Sequence, residues 1–402
     1  MRIAIETSAS ASGKGAIAYC TEYLIRNLAE LDSENEYFIF GFFFTDYANK
    51  VRSMNIPDKK NIHAAFRRFP EKWVRRLEWS WELPFVETCL LPPVDIYHSS
   101  SHRLPLIRKA KCVSTFNGLA FDVLAESAQT LLRYPSQKPF VDEMLGYQDP
   151  VARMNRQAIE RALKIITISH SLKRELLRYY DIEEERVEVI HPGIRHEIFR
   201  PIDDAAGLEA ARRQLKLPKK FIATAGPAHI HRNFETLLEA MRILWSNNKL
   251  QDHALVMAGQ KTKYFCQHLE PLMQKWGIRE KVIATGHLAS HADLASIYNL
   301  ASVVVYPSLY ESFGFVPIEA MACATPVITS GTACIPEIVG DSAILLQDPL
   351  ASQELSEHIQ TLMENAAMYQ LFKQKGPQRA RMYNWSQTAQ KTIHLYRKLA
   401  SC

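Results

Sequence analysis

The stretch VVVYPSLYESFGFVPIEAMACATPVITS, residues 303–330, decides how this chain is read. Val303 to Tyr306 is a short β-branched run closed by Pro307 and Ser308, the pattern of a strand buried in a parallel sheet. A loop has to follow. Within it, Phe313-Gly314-Phe315 sets a residue without a side chain between two aromatics, so backbone amides can approach a ligand. Pro317 suits the first position of a helix, which places Glu319 in the first turn, where free N–H groups and the helix dipole favour negative charge. Glu311 and Glu319 then bracket one loop at the carboxyl end of a strand, the place where open α/β sheets bind ligands. Two carboxylates there are suited to accept hydrogen bonds from sugar or ribose hydroxyls. The plainer alternative is that they cap a helix and solvate a loop.

The spacing of Glu311 and Glu319, with Phe313-Gly314 between them, Pro307-Ser308 before and Glu319-Ala320-Met321-Ala322 and Thr325-Pro326-Val327-Ile328 after, resembles the signature of the retaining glycosyltransferases of family 4. The resemblance is mannosyltransferase-like. It implies an α/β GT-B fold, two Rossmann-like doubly wound parallel-sheet domains facing across a cleft, and a nucleotide-diphosphate sugar as donor.

Working outward, 402 residues are enough for two domains, each with its own core. Charged residues at 23% and hydrophobic ones at 47% describe a soluble globular protein. A net charge of +5 favours an anionic ligand or a membrane surface, but it is too small and too dispersed to argue for nucleic acid. The chain starts Met1-Arg2-Ile3-Ala4-Ile5-Glu6, charged early and strand-like, so no signal peptide is expected. The longest apolar run, Tyr37 to Phe44, is too short to span a bilayer. Seven scattered cysteines with no Cys-x-x-Cys pair read as reduced thiols, and a cytoplasmic location follows. His98 with His102, and His229 with His231, lack a partner cluster at metal-ligand spacing, so no metal site is expected.

In the amino-terminal half, Arg2 to Glu6 reads as a strand leading through a small-residue loop with Gly13, Lys14 and Gly15 into a helix at Ile17, Thr21, Leu24, Leu28 and Leu31. Gly13 and Gly15 let backbone approach a phosphate at the helix start, and a plain turn is the alternative. Gly-Lys-Gly is not a nucleoside-triphosphate P-loop, which requires Ser or Thr after the lysine. Residues 64–83 mix bases and aromatics, with Trp73, Leu77 and Trp81 on one helical face. They form either an interfacial helix that meets anionic headgroups and a lipid-linked acceptor, or an ordinary helix packed on the sheet with solvated arginines. Strands are expected at 94–100 and 112–118. The family carries a histidine where Asn117 stands and an aspartate where Gly118 stands. Asn117 can donate and accept a hydrogen bond but cannot carry a proton at neutral pH. Further strands fall at 165–169 and 187–190, and Ser169 or Ser171 caps the helix near Leu172. Pro192-Gly193 marks the break between domains. The expected division is 1–192, then 193–380, with a final helix, 381–402, returning toward the first domain.

The carboxy-terminal half alternates strands near 221–225, 253–259, 281–286, 303–306 and 326–330 with helices, the sign of a doubly wound sheet. Gly226 opens a loop that ends His231-Arg232-Asn233. By the resemblance Arg232 holds the donor diphosphate, for which a planar guanidinium that stays charged is suited; otherwise it is a surface arginine near a helix start. His231 occupies the place of a second basic residue, and backbone near His287 and Leu288 meets the base.

The resemblance therefore implies transfer of a hexosyl unit, mannosyl favoured, from GDP-mannose or a UDP-hexose to a glycan or lipid-linked acceptor in polysaccharide or glycoconjugate assembly, without a metal. The expected catalytic set is Glu311, Arg232 and Asn117. The donor set is Gly13, Gly15, Gly226, His231, Arg232, Leu288, Glu311, Phe313, Gly314, Phe315 and Glu319. A sugar-nucleotide-binding protein without transfer and a GT-B sugar-nucleotide epimerase are the alternatives.

Overall fold

The computed structural model describes residues 1–8, 15–70, 72–74, 76–77 and 82–401. Gly13 and Lys14, and in the basic stretch Trp81, lie outside the described residues. The chain divides into two compact units.

Unit one comprises Met1–Leu119, Gln148–Gly193 and Asn384–Cys402. Its sheet contains β1 (Arg2–Glu6), β2 (Glu36–Phe43), β3 (Ile62–Arg68), β4 (Ile96–Ser99), β5 (Lys111–Phe116), β6 (Lys164–Thr167) and β7 (Val187–Val189). The strands are all parallel, in the order β3-β2-β1-β4-β5-β6-β7. Strand order reverses on either side of β1, the doubly wound pattern. Ile3, Ile5, Ile39, Ile96 and Val113 put branched side chains into a core shared with Ile25 and Leu28 of α1 (Ala16–Leu31). That helix turns Ala18, Thr21, Ile25, Leu28 and Ala29 inward, so the buried stripe is offset from the expected one and Leu31 is exposed.

Residues 64–83 are not one helix. Ile62–Arg68 is the edge strand of this sheet, Trp73 is 47% exposed, and Val74 beside it is buried. The turn after the strand therefore buries the valine, not the tryptophan face expected from spacing.

Unit two comprises Ala120–Tyr147 and Ile194–Tyr383. Its strands are β8 (Phe221–Ala225), β9 (Ala254–Ala258), β10 (Val282–Gly286), β11 (Val303–Tyr306), β12 (Val327–Ser330) and β13 (Ile344–Leu346). They form a parallel sheet in the order β10-β9-β8-β11-β12-β13. The reversal here falls between β8 and β11. Residues 120–147, which chain order assigns to the first domain, group with this unit. They include α2 (Ala120–Glu126) and α3 (Lys138–Gly146), and they bury Leu124, Leu131 and Val141 in the core of unit two. Polar contacts fix the same segment. Gln137 Nε2 donates to Glu235 Oε1 at 3.0 Å and to the Tyr264 hydroxyl at 2.8 Å, and Ser136 Oγ lies 2.7 Å from His268 Nδ1.

The helices of unit two used below are α4 (Phe234–Ser246), α5 (His291–Leu300) and α6 (Phe315–Ala322). The last helix, α7 (Trp385–Ala400), belongs to unit one, where Ala389, Ile393, Tyr396 and Leu399 join the core. Gly193 passes so close to it that a Cβ would stand 2.3 Å from the Trp385 nitrogen.

Candidate active site

The site is built at the switch point of unit two, where neighbouring strands β8 and β11 send their loops in opposite directions around the sheet and leave a crevice at their carboxyl ends. One loop runs from Gly226 to Asn233, the other from Pro307 to Gly314. Hydrogen bonds stitch these two loops together and tie the first of them to Pro349 as well. Leu309 N–H donates to His231 O at 2.8 Å. Asn233 Nδ2 donates to Pro307 O at 3.0 Å and to Pro349 O at 2.6 Å. Asn233 is buried and left-handed at φ 53°, a conformation in which asparagine is several-fold enriched. Its side chain therefore fixes the turn that aims Arg232.

Arg232 and Glu311 meet across these loops. Arg232 Nη1 donates to Glu311 Oε1, and the same oxygen accepts from the Tyr306 hydroxyl at 2.8 Å and from Ser308 Oγ at 2.9 Å. Both side chains are mostly buried, 18% and 12% exposed, and the guanidinium carbon lies 5.2 Å from the Tyr306 ring centroid. Three donors converge on one carboxylate oxygen and leave Oε2 for another partner. Arg232 Nε is buried and, among the described residues, has no acceptor. A buried donor without an acceptor loses about 1–3 kcal/mol. Tyr306, Ser308 and Asn233 were not on the sequence-derived list. The sign for Ser308 was its place in Pro-Ser, and for Asn233 its place directly after the arginine.

Glu319 lies one turn deeper than expected. Gly314, at φ 89°, starts α6 at Phe315, two residues before Pro317, so Glu319 sits in the second turn. The proline remains tolerable because the first four N–H groups of a helix lack intrahelical partners. Glu319 is buried, and desolvation pushes its pKa from the usual 4.5 up to about 8 against the opposing charge of Arg195. The carboxyl is therefore mainly protonated at pH 7 in the free protein. A Cβ on Gly314 would stand 2.6 Å from Ile335 Cδ1, a side-chain end that can move aside, so it is the left-handed conformation that favours glycine there. Phe313 is buried and Phe315 half-buried, their ring centroids 4.9 Å apart, so Phe313 offers a ligand its backbone only.

Gly226, at φ 104°, donates its N–H to Ala258 O at 2.8 Å. His231 carries no charge at neutral pH, because burial and the neighbouring Arg232 hold its pKa well below 6.5. It therefore brings no second positive charge to the place where a second basic residue is expected. Leu288 follows β10 on a half-buried turn. The remaining expected residues belong to unit one. Gly15, at φ 87° and exposed, opens α1. Asn117 follows β5 and uses its amide on Ser100 O at 2.9 Å and on Thr115 O at 3.4 Å, so only its carbonyl oxygen is left for a ligand. His98 is buried, with its two ring nitrogens 2.5 Å from the Tyr396 hydroxyl and 2.8 Å from Thr115 Oγ1; burial lowers its pKa to about 4. It is a structural histidine. Among the described residues six cysteines are free thiols, and no helix is long and apolar enough to cross a membrane.

Residues 209–379 match the family model described as glycosyl transferases group 1, and residues 17–198 match the model described as glycosyltransferase family 4. The serotype-specific mannosyltransferase WbdA of Escherichia coli is 29% identical over 61% of this chain, although the match spans only 30% of that enzyme. The O-antigen chain mannosyltransferase B of Escherichia coli is 24% identical over 76% of this chain and 74% of its own. In fold, the sucrose-phosphate synthase of Thermosynechococcus elongatus superposes with a TM-score of 0.71 at 20% identity, covering 100% of this chain and 99% of that one. The architecture is thus of the GT-B kind.

Proposed function

Because this chain belongs to the glycosyltransferases of group 1, its two halves matching the two family models, we propose that it is a retaining hexosyltransferase with a nucleotide-diphosphate sugar as donor. Mannose is the favoured sugar and GDP-mannose the favoured donor, in keeping with the mannosyltransferases it resembles; a UDP-hexose is the other candidate. The observation that carries the reading is the Arg232–Glu311 pair at the switch point, with a buried guanidinium donor still unsatisfied.

In this reading Arg232 takes the donor diphosphate through the fork nitrogen not spent on Glu311, while Glu311 holds it in register. The amides opening α6 after Gly314, and Oε2 of Glu311, receive sugar oxygens, and Glu319 receives the ribose hydroxyls. The bond from the anomeric carbon to the diphosphate oxygen breaks. The acceptor oxygen bonds to that carbon on the same face, and its proton passes to the departing diphosphate. Charge developing on the leaving group meets a fixed guanidinium, the electrostatic role a metal fills in other transferases. The acceptor is a glycan or a lipid-linked glycan at the cytoplasmic face of a membrane. Exposed Phe44 and Trp73, with the basic side chains around them, are the surface proposed to touch it.

A panel of GDP-mannose, UDP-glucose and UDP-galactose, with nucleotide-diphosphate release followed in the presence and absence of a mannose-terminated acceptor, tests this. Acceptor-dependent release from one donor is the expected result, and no release from any donor would contradict it. One observation favours a second reading, a sugar-nucleotide-binding protein without transfer: Asn117 stands in place of the family's histidine with both amide hydrogens spent on backbone. Tight nucleotide binding without release would support that reading.

A further inference from the structure

A cavity of ≈ 450 Å³ lies in unit two beside the Arg232 loop. One wall is aromatic and aliphatic: Phe121 and Leu124 from α2, Phe140 and Met144 from α3, and Tyr147 just beyond it. The opposite wall comes from His229 and His231 in the loop after β8 and from Thr262, Lys263 and Tyr264 after β9. Glu143 also lines it. His231 is thus shared with the turn that presents Arg232, so the cavity continues the donor site rather than standing apart from it.

The lining alternates two kinds of surface. Ring faces are firmly placed: Phe140 stands edge-on to Tyr264 at 4.9 Å and 90°, Phe121 lies 5.9 Å from Tyr147, and the imidazoles of His229 and His231 stack at 5.8 Å and 11°. Between them are the hydroxyls of Tyr147, Thr262 and Tyr264, two imidazoles, one carboxylate and one ammonium, the last 5.9 Å from the Phe140 centroid. Glu143 and Lys263 stand exposed at the rim, and Thr262 Oγ1 donates to Ala228 O, so the polar groups edge the cavity while the rings line its wall. A sugar suits both surfaces, since its C–H face packs on aromatic rings while its hydroxyls reach donors and acceptors at the edge. The volume is at the small end of the range for ligand sites, about 300–1,000 Å³, enough for one or two sugar rings.

We infer that this cavity is the subsite for the acceptor's terminal sugars, gripped between Tyr147 and Phe121 on one side and the His229–His231 loop on the other. The inference rests on the transferase reading and extends it by assigning residues 120–147, a segment lent to unit two by the first half of the chain, to acceptor selection. Tyr147 is 53% exposed, so its replacement is a surface change that leaves the fold intact.

The test uses the full chain and α-mannobiose as the probe, with Tyr147→Ala, Phe121→Ala and the ring-preserving Tyr147→Phe. Saturation-transfer NMR should show contact between the probe and wild-type protein, reduced at least threefold in both alanine variants and kept in Tyr147→Phe. In transfer assays KM for α-mannobiose should rise tenfold or more in the alanine variants, with kcat within threefold and GDP affinity unchanged. No contact with the wild type, an unchanged KM, or displacement of the probe by GDP would overturn the inference. Probe contact that the alanine variants lose, in a protein that releases no nucleotide diphosphate from any donor, would uphold the subsite and refute the transferase reading.

Discussion

Arg232 is held by one oxygen of Glu311 and keeps one buried donor in reserve, and this arrangement separates two substitutions usually treated as equivalent. Arg232→Lys preserves charge but loses the planar fork and Nε. Donor kcat/KM should fall by about 10- to 100-fold in the lysine variant, since a charge-assisted hydrogen bond contributes about 1.5–3 kcal/mol; steady-state kinetics that place Lys beside wild type would show that charge alone suffices. Glu319 gives a second prediction at this scale. Its pKa in the folded protein, about 8, stands above that of an unfolded glutamate, about 4.3. The folded state therefore holds the proton more tightly, and the resulting stability is complete below about pH 4 and lost as pH rises through 8. Melting temperature of the free protein should decline across that window, and Glu319→Gln should flatten the decline. If ribose hydroxyls prefer the carboxylate, nucleotide binding releases a proton, and affinity should rise from pH 6 to 8 in wild type but not in the glutamine variant. The apparent enthalpy of binding, measured in buffers of different ionisation heat, would reveal that proton.

At the scale of single elements, β1, β8 and β11 match their sequence-derived bounds residue for residue, because each is a central strand whose buried residues are mostly apolar. β3 and β13 were not legible. Both are edge strands; β3 ends in the charged pair Arg67-Arg68, and β13, Ile344–Leu346, is apolar but too short to stand out as a strand. The helix carrying Glu319 was placed two residues late because Pro317 is a strong start signal, whereas Gly314 in a left-handed conformation had already begun it. The other end of that helix carries a further prediction. Ala324 N–H bonds to Met321 O at 3.0 Å and Thr325 N–H to Ala320 O at 3.1 Å, the paired bonds of a Schellman ending, with Ala324 at φ 57° where glycine is usual. Ala324→Gly should therefore raise stability by about 0.5–1 kcal/mol, read as a higher melting temperature. A lower melting temperature would show that chain entropy outweighs the relief of strain.

For the whole molecule, the division into two parallel-sheet units follows from chain length and the strand–helix alternation, but which unit owns each segment does not. Residues 120–147 follow β5 in sequence yet bury their apolar side chains in unit two, a choice made by tertiary packing that no local pattern announces. The closing helix is the converse case, with Trp385 set against Tyr19 and Tyr23 at 5.6 and 5.9 Å and Gly193 leaving it room. Gly193→Ala should cost more than 2 kcal/mol, because the clash is with backbone and cannot be relieved by a rotamer change. Urea unfolding checks this, and a midpoint equal to wild type would mean that the closing helix shifts freely.

Of the candidate site, Arg232, Glu311 and Gly314 could be singled out from chemistry and spacing, whereas Asn233 and Tyr306 join them only because loops meet. The measurement closest to the central claim is calorimetric titration of GDP and of guanosine into wild type and Arg232→Ala. GDP affinity should fall by about 10- to 100-fold in the variant, while guanosine, which has no phosphate, binds both proteins alike. Equal GDP affinity in the two proteins would contradict the account.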